Sequence, residues 1–312
     1  MYKAVLVGAD FQNNDSIDYY MEELNNLAEA SGIEVVYSMT QSISKITANL
    51  FIGSGKVQEV KSLVTNLDAD MVIFNNELSG SQIRNLEEQI GVRVIDRTLL
   101  ILDIFASRAK TKEAMLQVEI AQLEYMLPRL NGLMESLGRQ QGGIGSKGLG
   151  EKKFELDRRR IISERTRLQI ELTEIVKSRK IQRKNRLKSN IRKVAIVGYT
   201  NAGKSTLVNK FLEFTEKDID KKVYVENMLF ATLETSTRHI ILANKKEFTV
   251  TDTVGFVSNL PHNLVESFKS TLEEINEADL LIHLVDGSND FYEDQIKVTE
   301  ETLKEIGVND IP

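Results

Sequence analysis

The stretch Val194-Ala-Ile-Val-Gly-Tyr-Thr-Asn-Ala-Gly-Lys-Ser205 contains a complete G-x-x-x-x-G-K-[ST] pattern, which runs from Gly198 to Ser205. The apolar run before the pattern predicts a buried strand, and the residues from Lys204 onward predict a helix. Such a loop surrounds the α- and β-phosphates of a nucleotide with backbone N–H groups and directs a helix N-terminus at them. A glycine-rich turn that matches by chance has no need of this order of strand, loop and helix. The stretch therefore predicts a nucleoside triphosphate site in an α/β domain.

The residue types within this loop predict individual roles. Lys204 is expected to reach the β- and γ-phosphates, and the Ser205 hydroxyl to ligate Mg²⁺. Catalysis would rest mainly on the electrostatics of Lys204 and Mg²⁺. The predicted nucleotide contacts in and beside the loop are Gly198, Tyr199, Thr200, Asn201, Ala202, Gly203, Lys204, Ser205 and Thr206.

A second predicted strand ends in a carboxylate. Phe248-Thr-Val-Thr-Asp252 is this strand, and Asp252-Thr-Val-Gly255 fits the pattern D-x-x-G. Asp252 would hold Mg²⁺ through water, and the N–H of Gly255 would meet the γ-phosphate. Thr253 and Val254 lie between them and are included in the predicted nucleotide site.

The polar segment 215–237, between the loop helix and the next strand, is where a threonine would ligate Mg²⁺. We assign Thr232 to this role, although Thr235 and Thr237 have the same chemistry and the residues alone do not separate the three. The predicted nucleotide contacts here are Phe230, Ala231, Thr232, Leu233 and Glu234. The residues predicted to act in catalysis are Lys204, Thr232 and Gly255.

The composition bounds the class of protein. The chain has 312 residues, of which 41% are hydrophobic and 28% charged, as in soluble proteins with two or three domains. It has no cysteine, which excludes disulfides and thiolate chemistry, and no apolar run approaches the roughly 20 residues of a membrane span. The N-terminal apolar run is too short for a secretory signal. We therefore expect a cytoplasmic monomer.

The net charge of −6 hides a strong asymmetry. Residues 151–193 hold 16 Lys and Arg against 6 Asp and Glu, and residues 177–193 hold nine cations and no anion. Such blocks neutralise the phosphates of nucleic acids, although a solvated helix face has a similar composition. The residues predicted to contact RNA are Gly142, Gly143, Gly145, Lys147, Arg158, Arg159, Arg160, Arg179, Lys180, Arg183, Lys184 and Arg186.

Residues 1–97 alternate short apolar runs with amphipathic stretches, and this alternation predicts a small parallel α/β domain. The predicted strands are Tyr2–Val7, Ile33–Ser38, Met71–Phe74 and Val92–Ile95. The predicted helices are Asp18–Ala30, Val57–Leu67 and Ser81–Ile90.

Residues 98–190 change to a heptad pattern, which predicts a long antiparallel helical hairpin. The first helix would run from Thr98 to about Leu130, with Pro128 ending it near its top, and the second would cover about 152–190. The tip, 131–151, has five glycines among residues 142–150. A cradle for phosphates or the RNA backbone and a flexible connector both remain open for it.

Residues 191–312 form the predicted P-loop G domain, which we expect to be incomplete. Its predicted strands cover 194–197, 238–242, 248–252 and 279–285, and its predicted helices 204–213, 263–277 and 292–306. Guanine is normally read by an [NT]-K-x-D pattern at the end of a fifth strand, and the chain stops about where that strand would begin. Asn244-Lys-Lys-Glu247 lies in a turn between two strands and ends in Glu. These residues therefore do not decide between GTP and ATP.

At this point the chain resembles the HflX translational GTPases. The strings that carry the resemblance are Gly198–Ser205, Phe230-Ala-Thr-Leu, Thr235-Ser-Thr-Arg, Asp252-Thr-Val-Gly-Phe-Val, Phe51-Ile-Gly-Ser-Gly-Lys-Val-Gln-Glu59, and Gly142–Glu151 with Asp157-Arg-Arg-Arg160. The resemblance covers nearly the whole chain in order and supports Thr232 as the switch threonine. It implies a Mg²⁺-dependent GTPase that binds the large ribosomal subunit and splits or rescues stalled ribosomes under stress, with the hairpin loop directed toward rRNA.

Phe256 follows the D-x-x-G pattern, where many small GTPases have a glutamine that orients the attacking water. A phenyl ring neither donates nor accepts such a hydrogen bond, so slow intrinsic hydrolysis stimulated by the ribosome is predicted. Two other functions remain open. One is an RNA-binding protein whose conformation is set by the nucleotide, and the other is an ATP-dependent enzyme that remodels RNA–protein complexes.

Overall fold

A computed structural model describes most of the chain, in two compact units. The described residues are 1–11, 16–140, 149–186, 191–213, 230, 236–242, 244–258, 260, 275–308 and 310–312, with only the backbone described for 131–140, 149–154 and 180–186. The first unit comprises Met1–Ile104 with Gln122–Leu168, and the second comprises Phe105–Ala121 with Gln169–Pro312.

The first unit contains a four-stranded parallel sheet in the order β2-β1-β3-β4. Its strands are β1 (Tyr2–Phe11), β2 (Ile33–Ile43), β3 (Met71–Phe74) and β4 (Arg93–Asp96). Its helices are α1 (Ile17–Ala30), α2 (Ser54–Leu67) and α3 (Gly80–Ile90). All seven predicted elements are present, and β1 and β2 extend four or five residues further than their apolar runs predict. The predicted α/β class of this region is confirmed.

The helix ends of this unit follow local rules. Ser79 begins α3 with a capping box, in which its hydroxyl accepts from the N–H of Gln82 and the Gln82 side chain accepts from the N–H of Ser79. Gly91 ends the same helix in the left-handed conformation, with φ of 94°. The apolar face of each helix packs on the sheet, and the core includes Val5, Val72, Phe74 and Leu86, all fully buried.

The prediction of one helix from Thr98 to Leu130 is wrong, because two helices occupy this region. α4 (Arg97–Arg108) ends before Ala109, and α5 (Lys112–Gln140) begins after Thr111. The Thr111 hydroxyl accepts from the N–H of Ala114 at 3.2 Å and so caps the start of α5. The heptad pattern continues across the break because Leu102, Ala109 and Leu116 are all buried, so their spacing gives no sign of the interruption.

The prediction that Pro128 ends this arm is also wrong, since α5 continues through it to Gln140. Proline removes one backbone hydrogen bond and crowds the preceding turn, at a cost of about 3 kcal/mol. Interactions on either side of Pro128 offset this cost. Tyr125 and Arg129 donate to the Asp96 carboxylate at 2.8 Å each, and the Arg129 guanidinium lies 3.3 Å above the centre of the Tyr125 ring.

α6 is Leu149–Arg186, and within the first unit its Arg165 lies 3.8 Å from Glu124 of α5. In the second unit the start of α5 pairs with the later part of α6, through Lys112 with Glu171 at 2.5 Å and Glu113 with Arg179 at 2.8 Å. The predicted helical region is therefore confirmed. Among the described helices, none combines the length and apolar character that crossing a membrane requires.

The second unit contains a four-stranded sheet in the order β6-β7-β5-β8. Its strands are β5 (Arg192–Gly198), β6 (Ser236–Ile241), β7 (Glu247–Asp252) and β8 (Leu280–Leu284), and its helices include α7 (Lys204–Glu213) and α8 (Tyr292–Glu305). β5 is parallel to β7 and β8, whereas β6 is antiparallel to β7. Of the predicted helix 263–277, only Ile275–Glu277 is described, as a 3₁₀ turn, and the rest lies outside the described residues.

We expect Asp96→Asn to destabilise the first unit by about 3–5 kcal/mol, because the buried carboxylate accepts hydrogen bonds from Leu78 N, Leu99 N, Tyr125 and Arg129. The amide would turn one acceptor into a donor that faces these donors. The free energy of unfolding would be measured in urea by circular dichroism. Asp68→Asn is the matched control, since this exposed residue has a φ of 53° that Asn tolerates. Equal losses in the two variants would contradict the prediction.

Candidate nucleotide-binding site

The predicted phosphate-binding loop connects β5 to α7, as the order of strand, loop and helix requires. Asn201 and Gly203 have φ values of 60° and 88°, and such turns direct successive N–H groups toward one point. α7 begins at Lys204, so its N-terminus faces the same point. The backbone therefore has the form of an anion-binding loop.

Gly198 is required by the close approach of a neighbouring strand. A Cβ atom at this position would lie 2.2 Å from the carbonyl oxygen of Leu284, at the end of β8, and the φ of Gly198 is 150°. Both values exclude a larger residue without movement of the backbone. Because the first glycine of the pattern has no side chain, the loop can pack directly against β8.

Lys204 is the buried cation of the site, with 6% of its surface exposed. Its Nζ donates to the carbonyl oxygens of Tyr199 at 2.7 Å and Gly198 at 3.1 Å, so in this structure the ammonium group binds the loop itself. Burial lowers the pKa of Lys204 to about 8, while the Asp252 carboxylate opposes the shift. A phosphate that approached the loop would meet this cation.

Ser205 and Asp252 lie together, as predicted for a metal site. The Ser205 hydroxyl donates to Oδ2 of Asp252 at 2.6 Å, and Asp252 is fully buried at the end of β7. A hydroxyl and a carboxylate are the hard oxygen donors that Mg²⁺ prefers, and Mg²⁺ is usually held by few protein groups together with phosphate and water. In the described part of the chain, no three acidic or histidine side chains converge as a ready metal site. The two residues therefore fit Mg²⁺ bound jointly with a nucleotide.

The D-x-x-G segment lies directly against the phosphate-binding loop. The N–H of Thr200 donates to the carbonyl of Phe256 at 2.7 Å, and the N–H of Phe256 donates to the carbonyl of Gly198 at 3.2 Å. A Cβ atom on Gly255 would lie 2.5 Å from Thr200 Cα, so only glycine fits there. Thr253, predicted as a nucleotide contact, instead donates its hydroxyl hydrogen bond to the carbonyl of Ile196 on β5 at 2.7 Å.

Phe230 joins the site to the helical region within the same unit. Its N–H donates to the Thr200 hydroxyl at 3.1 Å, and its φ is 55°, which is rare for a residue with a side chain. The buried ring packs edge to face on Phe105 near the end of α4, with centroids 4.7 Å apart. Ala231, Thr232, Leu233 and Glu234 lie outside the described residues.

The contacts made by three residues of this arrangement were not predicted from the sequence. Phe105 packs on Phe230, and Ser258 hydrogen-bonds the hydroxyl of Tyr199 at 2.7 Å. Tyr199 itself was included only as a member of the loop. A lone phenylalanine in a helix and a serine after D-x-x-G carry no signal of these contacts, because each partner is distant in sequence.

The predicted RNA contacts lie mostly along α6. Arg158, Arg159 and Arg160 are exposed, the last two beside Glu155 at 2.5 Å and Asp157 at 3.7 Å. Arg179 is half-buried and forms an ion pair with Glu113 at 2.8 Å. The backbone of α6 includes Lys180, Arg183, Lys184 and Arg186, whereas Gly142, Gly143, Gly145 and Lys147 lie outside the described residues.

The chain matches three protein-family profiles in succession. They are described as GTP-binding GTPase N-terminal (residues 18–106), GTP-binding GTPase Middle Region (108–186) and 50S ribosome-binding GTPase (193–311). The GTPase HflX of Caldanaerobacter subterraneus is 50% identical over 94% of this chain and 67% of its own length. The chain belongs to the HflX family of GTPases. The Escherichia coli HflX is 41% identical over 99% of this chain and 71% of its own length.

A solved structure has the same fold as this HflX-family chain. It is a GTP-binding protein of the archaeon Sulfolobus solfataricus in complex with GDP, and it is similar with a TM-score of 0.50 and 23% identity over 99% of this chain and 79% of that protein. This likeness bears on the fold alone. The predicted class, with a parallel N-terminal sheet, a helical region and a P-loop GTPase domain, is confirmed.

We expect nucleotide affinity to fall as the pH rises through the pKa of Lys204. A phosphate requires the protonated ammonium group, and that proton is lost above about pH 8 rather than near 10.5. The dissociation constant of GDP should therefore rise about tenfold between pH 7 and pH 9. Calorimetry would measure it, with circular dichroism at each pH as the control for folding. A constant affinity over this range would show that Lys204 keeps its proton.

Proposed function

We propose that this chain binds and hydrolyses GTP at the loop Gly198–Ser205. The observation that carries the proposal is the hydrogen bond between the Ser205 hydroxyl and the Asp252 carboxylate. It lies beside the phosphate-binding loop, in which the ammonium group of Lys204 is buried. The loop amides, the helix N-terminus and the ammonium group all favour a polyanion. Membership in the HflX family supports GTP as that polyanion.

The chain's residues would act by positioning and electrostatics. The loop amides and Lys204 would neutralise the phosphates, and Gly255 would offer its N–H to the γ-phosphate. Ser205, Asp252 through water, and Thr232 would hold Mg²⁺, which would supply charge for the phosphate oxygens. Lys204 and Asp252 are buried where few waters compete with these interactions.

Slow intrinsic hydrolysis is part of the proposal. Phe256 is buried and lies in the segment paired with the phosphate-binding loop, so this position offers no side-chain hydrogen bond to a water. An external group or an external ordering of the loop would then be needed for fast turnover. The large ribosomal subunit is the proposed source, which the third family profile supports.

We also propose that the chain acts on ribosomes in the cytoplasm, where it would split or rescue stalled particles as a monomer. In this proposal residues 1–97 form the N-terminal domain, 98–190 the hairpin with its tip loop 131–151, and 191–312 the G domain. Arg158–Arg160 on α6 are exposed and in this proposal would contact rRNA phosphates, and the net charge of +10 in residues 151–193 supports such a contact. Loss of the γ-phosphate would relax the segments around 230–238 and 252–262 and lower the affinity for the ribosome.

Titration with fluorescent GTP and ATP analogues and Mg²⁺ tests the nucleotide proposal. Wild type should bind the GTP analogue at least roughly tenfold more tightly than the ATP analogue, and Lys204→Ala should lose at least roughly tenfold in affinity for phosphate groups. Ser288→Ala, in an exposed turn after β8, is the control. Preference for ATP would favour a remodelling enzyme. RNA binding that ignores both nucleotide and Lys204→Ala would favour an RNA-binding protein.

A second test concerns the ribosome. We expect purified large subunits to accelerate GTP hydrolysis by roughly tenfold or more, since one added group often contributes far more than this in GTPases. The triple variant Arg158→Glu, Arg159→Glu, Arg160→Glu should bind the subunit more weakly. Because three phosphate contacts would be lost, its log–log salt slope should flatten by about 2 to 3.

The matched control for this variant also reverses three exposed cations, Lys246→Glu in the turn between β6 and β7 and Lys297→Glu and Lys304→Glu on α8. It should leave the salt slope unchanged. Equal effects in the two variants would point to net charge rather than to a site on α6. Hydrolysis as fast without the subunit as with it would contradict the proposed role of Phe256.

A further inference from the structure

The hydroxyl group of Tyr199 joins the phosphate-binding loop to the segment that follows D-x-x-G. It lies 2.7 Å from the hydroxyl oxygen of Ser258 and accepts a hydrogen bond from the N–H of Ser258, also at 2.7 Å. Both residues are buried, with 4% and 5% of their surfaces exposed. Two buried hydrogen bonds therefore meet on one phenolic oxygen.

The same segment is held to the loop by its backbone. Phe256 forms a parallel bridge with Tyr199, through the bonds from Thr200 N to Phe256 O and from Phe256 N to Gly198 O. Residues 256 and 258 are thus bound to the loop by four hydrogen bonds, two from the backbone and two from the Tyr199 hydroxyl. Gly255, immediately before them, is held by this pairing.

The pairing brings Gly255 close to the catalytic lysine. A Cβ atom built on Gly255 would lie 2.9 Å from Lys204 Nζ and 2.5 Å from Thr200 Cα, so the Gly255 backbone lies close against both residues. A γ-phosphate that contacts both Lys204 and the N–H of Gly255 needs oxygens at about 2.7–3.2 Å from each. Entry of a third phosphate between them therefore requires that the Lys204 side chain shifts, that Gly255 and the residues bound after it move outward, or both. A diphosphate makes no such demand.

We propose that Tyr199 and Ser258 form a latch that determines the preference of this site between GDP and GTP. The latch, meaning the two hydrogen bonds of the Tyr199 hydroxyl to Ser258, stabilises the position of Gly255 that is compatible with a diphosphate. Entry of the γ-phosphate breaks or stretches these hydrogen bonds. The free energy needed to open the latch therefore weakens the binding of GTP. The inference rests on the proposed function, since it assumes that the loop binds guanine nucleotides.

Tyr199→Phe tests the latch because it keeps the buried ring and removes the oxygen that both hydrogen bonds share. The dissociation constant of a non-hydrolysable fluorescent GTP analogue should fall about tenfold, whereas that of the GDP analogue should change less than about twofold. The decisive quantity is the ratio of the two constants, since a general loss of structure would weaken both. Ser258→Ala, which keeps the N–H and removes one hydroxyl, should shift the ratio in the same direction by a smaller factor.

Tyr292→Phe is the matched control, because it removes a phenolic hydroxyl from an exposed residue of the same unit, and the ratio should not change. An unchanged ratio in both Tyr199→Phe and Ser258→Ala, with wild type binding both nucleotides, would overturn the latch and leave the proposed function in place. Wild type that binds neither nucleotide would overturn the proposed function and the latch with it.

Discussion

The ammonium group of Lys204 is buried where β5 passes into α7, and the surrounding structure satisfies it. Removing a cation from water is expensive unless hydrogen bonds and an opposite charge compensate. The carbonyls of Gly198 and Tyr199 provide the hydrogen bonds, and the charge of Asp252 acts against the fall in the pKa of Lys204. Because the two carbonyls belong to the loop, the position of this buried group and the shape of the loop are linked.

A chain of short contacts leads from this loop to the helical region of the same unit. The Thr200 hydroxyl accepts from the N–H of Phe230, and the Phe230 ring packs on Phe105. Phe230 keeps a left-handed backbone conformation that only surrounding contacts can maintain. A movement of Thr200 would therefore change the packing at the end of α4. On the proposed function, this is a direct physical connection between the phosphates and the helices.

Local sequence signals predicted the elements well and the connections between distant residues poorly. β3 and α7 have the predicted bounds because short apolar runs and a phosphate-loop signature define them. The break in the helix at Thr111 was not predicted, because a heptad pattern indicates which face of a helix is buried and not whether the helix is continuous. The end of the helix was wrongly predicted at Pro128 because the energetic penalty of proline can be read from the local sequence. The hydrogen bonds of Tyr125 and Arg129 that offset this penalty cannot, since their acceptor, Asp96, lies in β4. The Ser205–Asp252 pair was predictable, since both belong to motifs with known spatial relations.

Two requirements conflict at Phe256, in the segment after D-x-x-G. One is burial of the side chain in the core, and the other is orientation of the attacking water. Phe256 is buried and its backbone pairs with the loop, so the residue is part of the structure that holds Gly255 near Lys204. A polar side chain at this position could orient water only if it left the core. On the proposed function, a site built in this way would favour a firm resting position over rapid intrinsic chemistry. Fast hydrolysis would then depend on a partner that moves this segment and orients the attacking water. Such dependence on a partner is expected of a regulated switch.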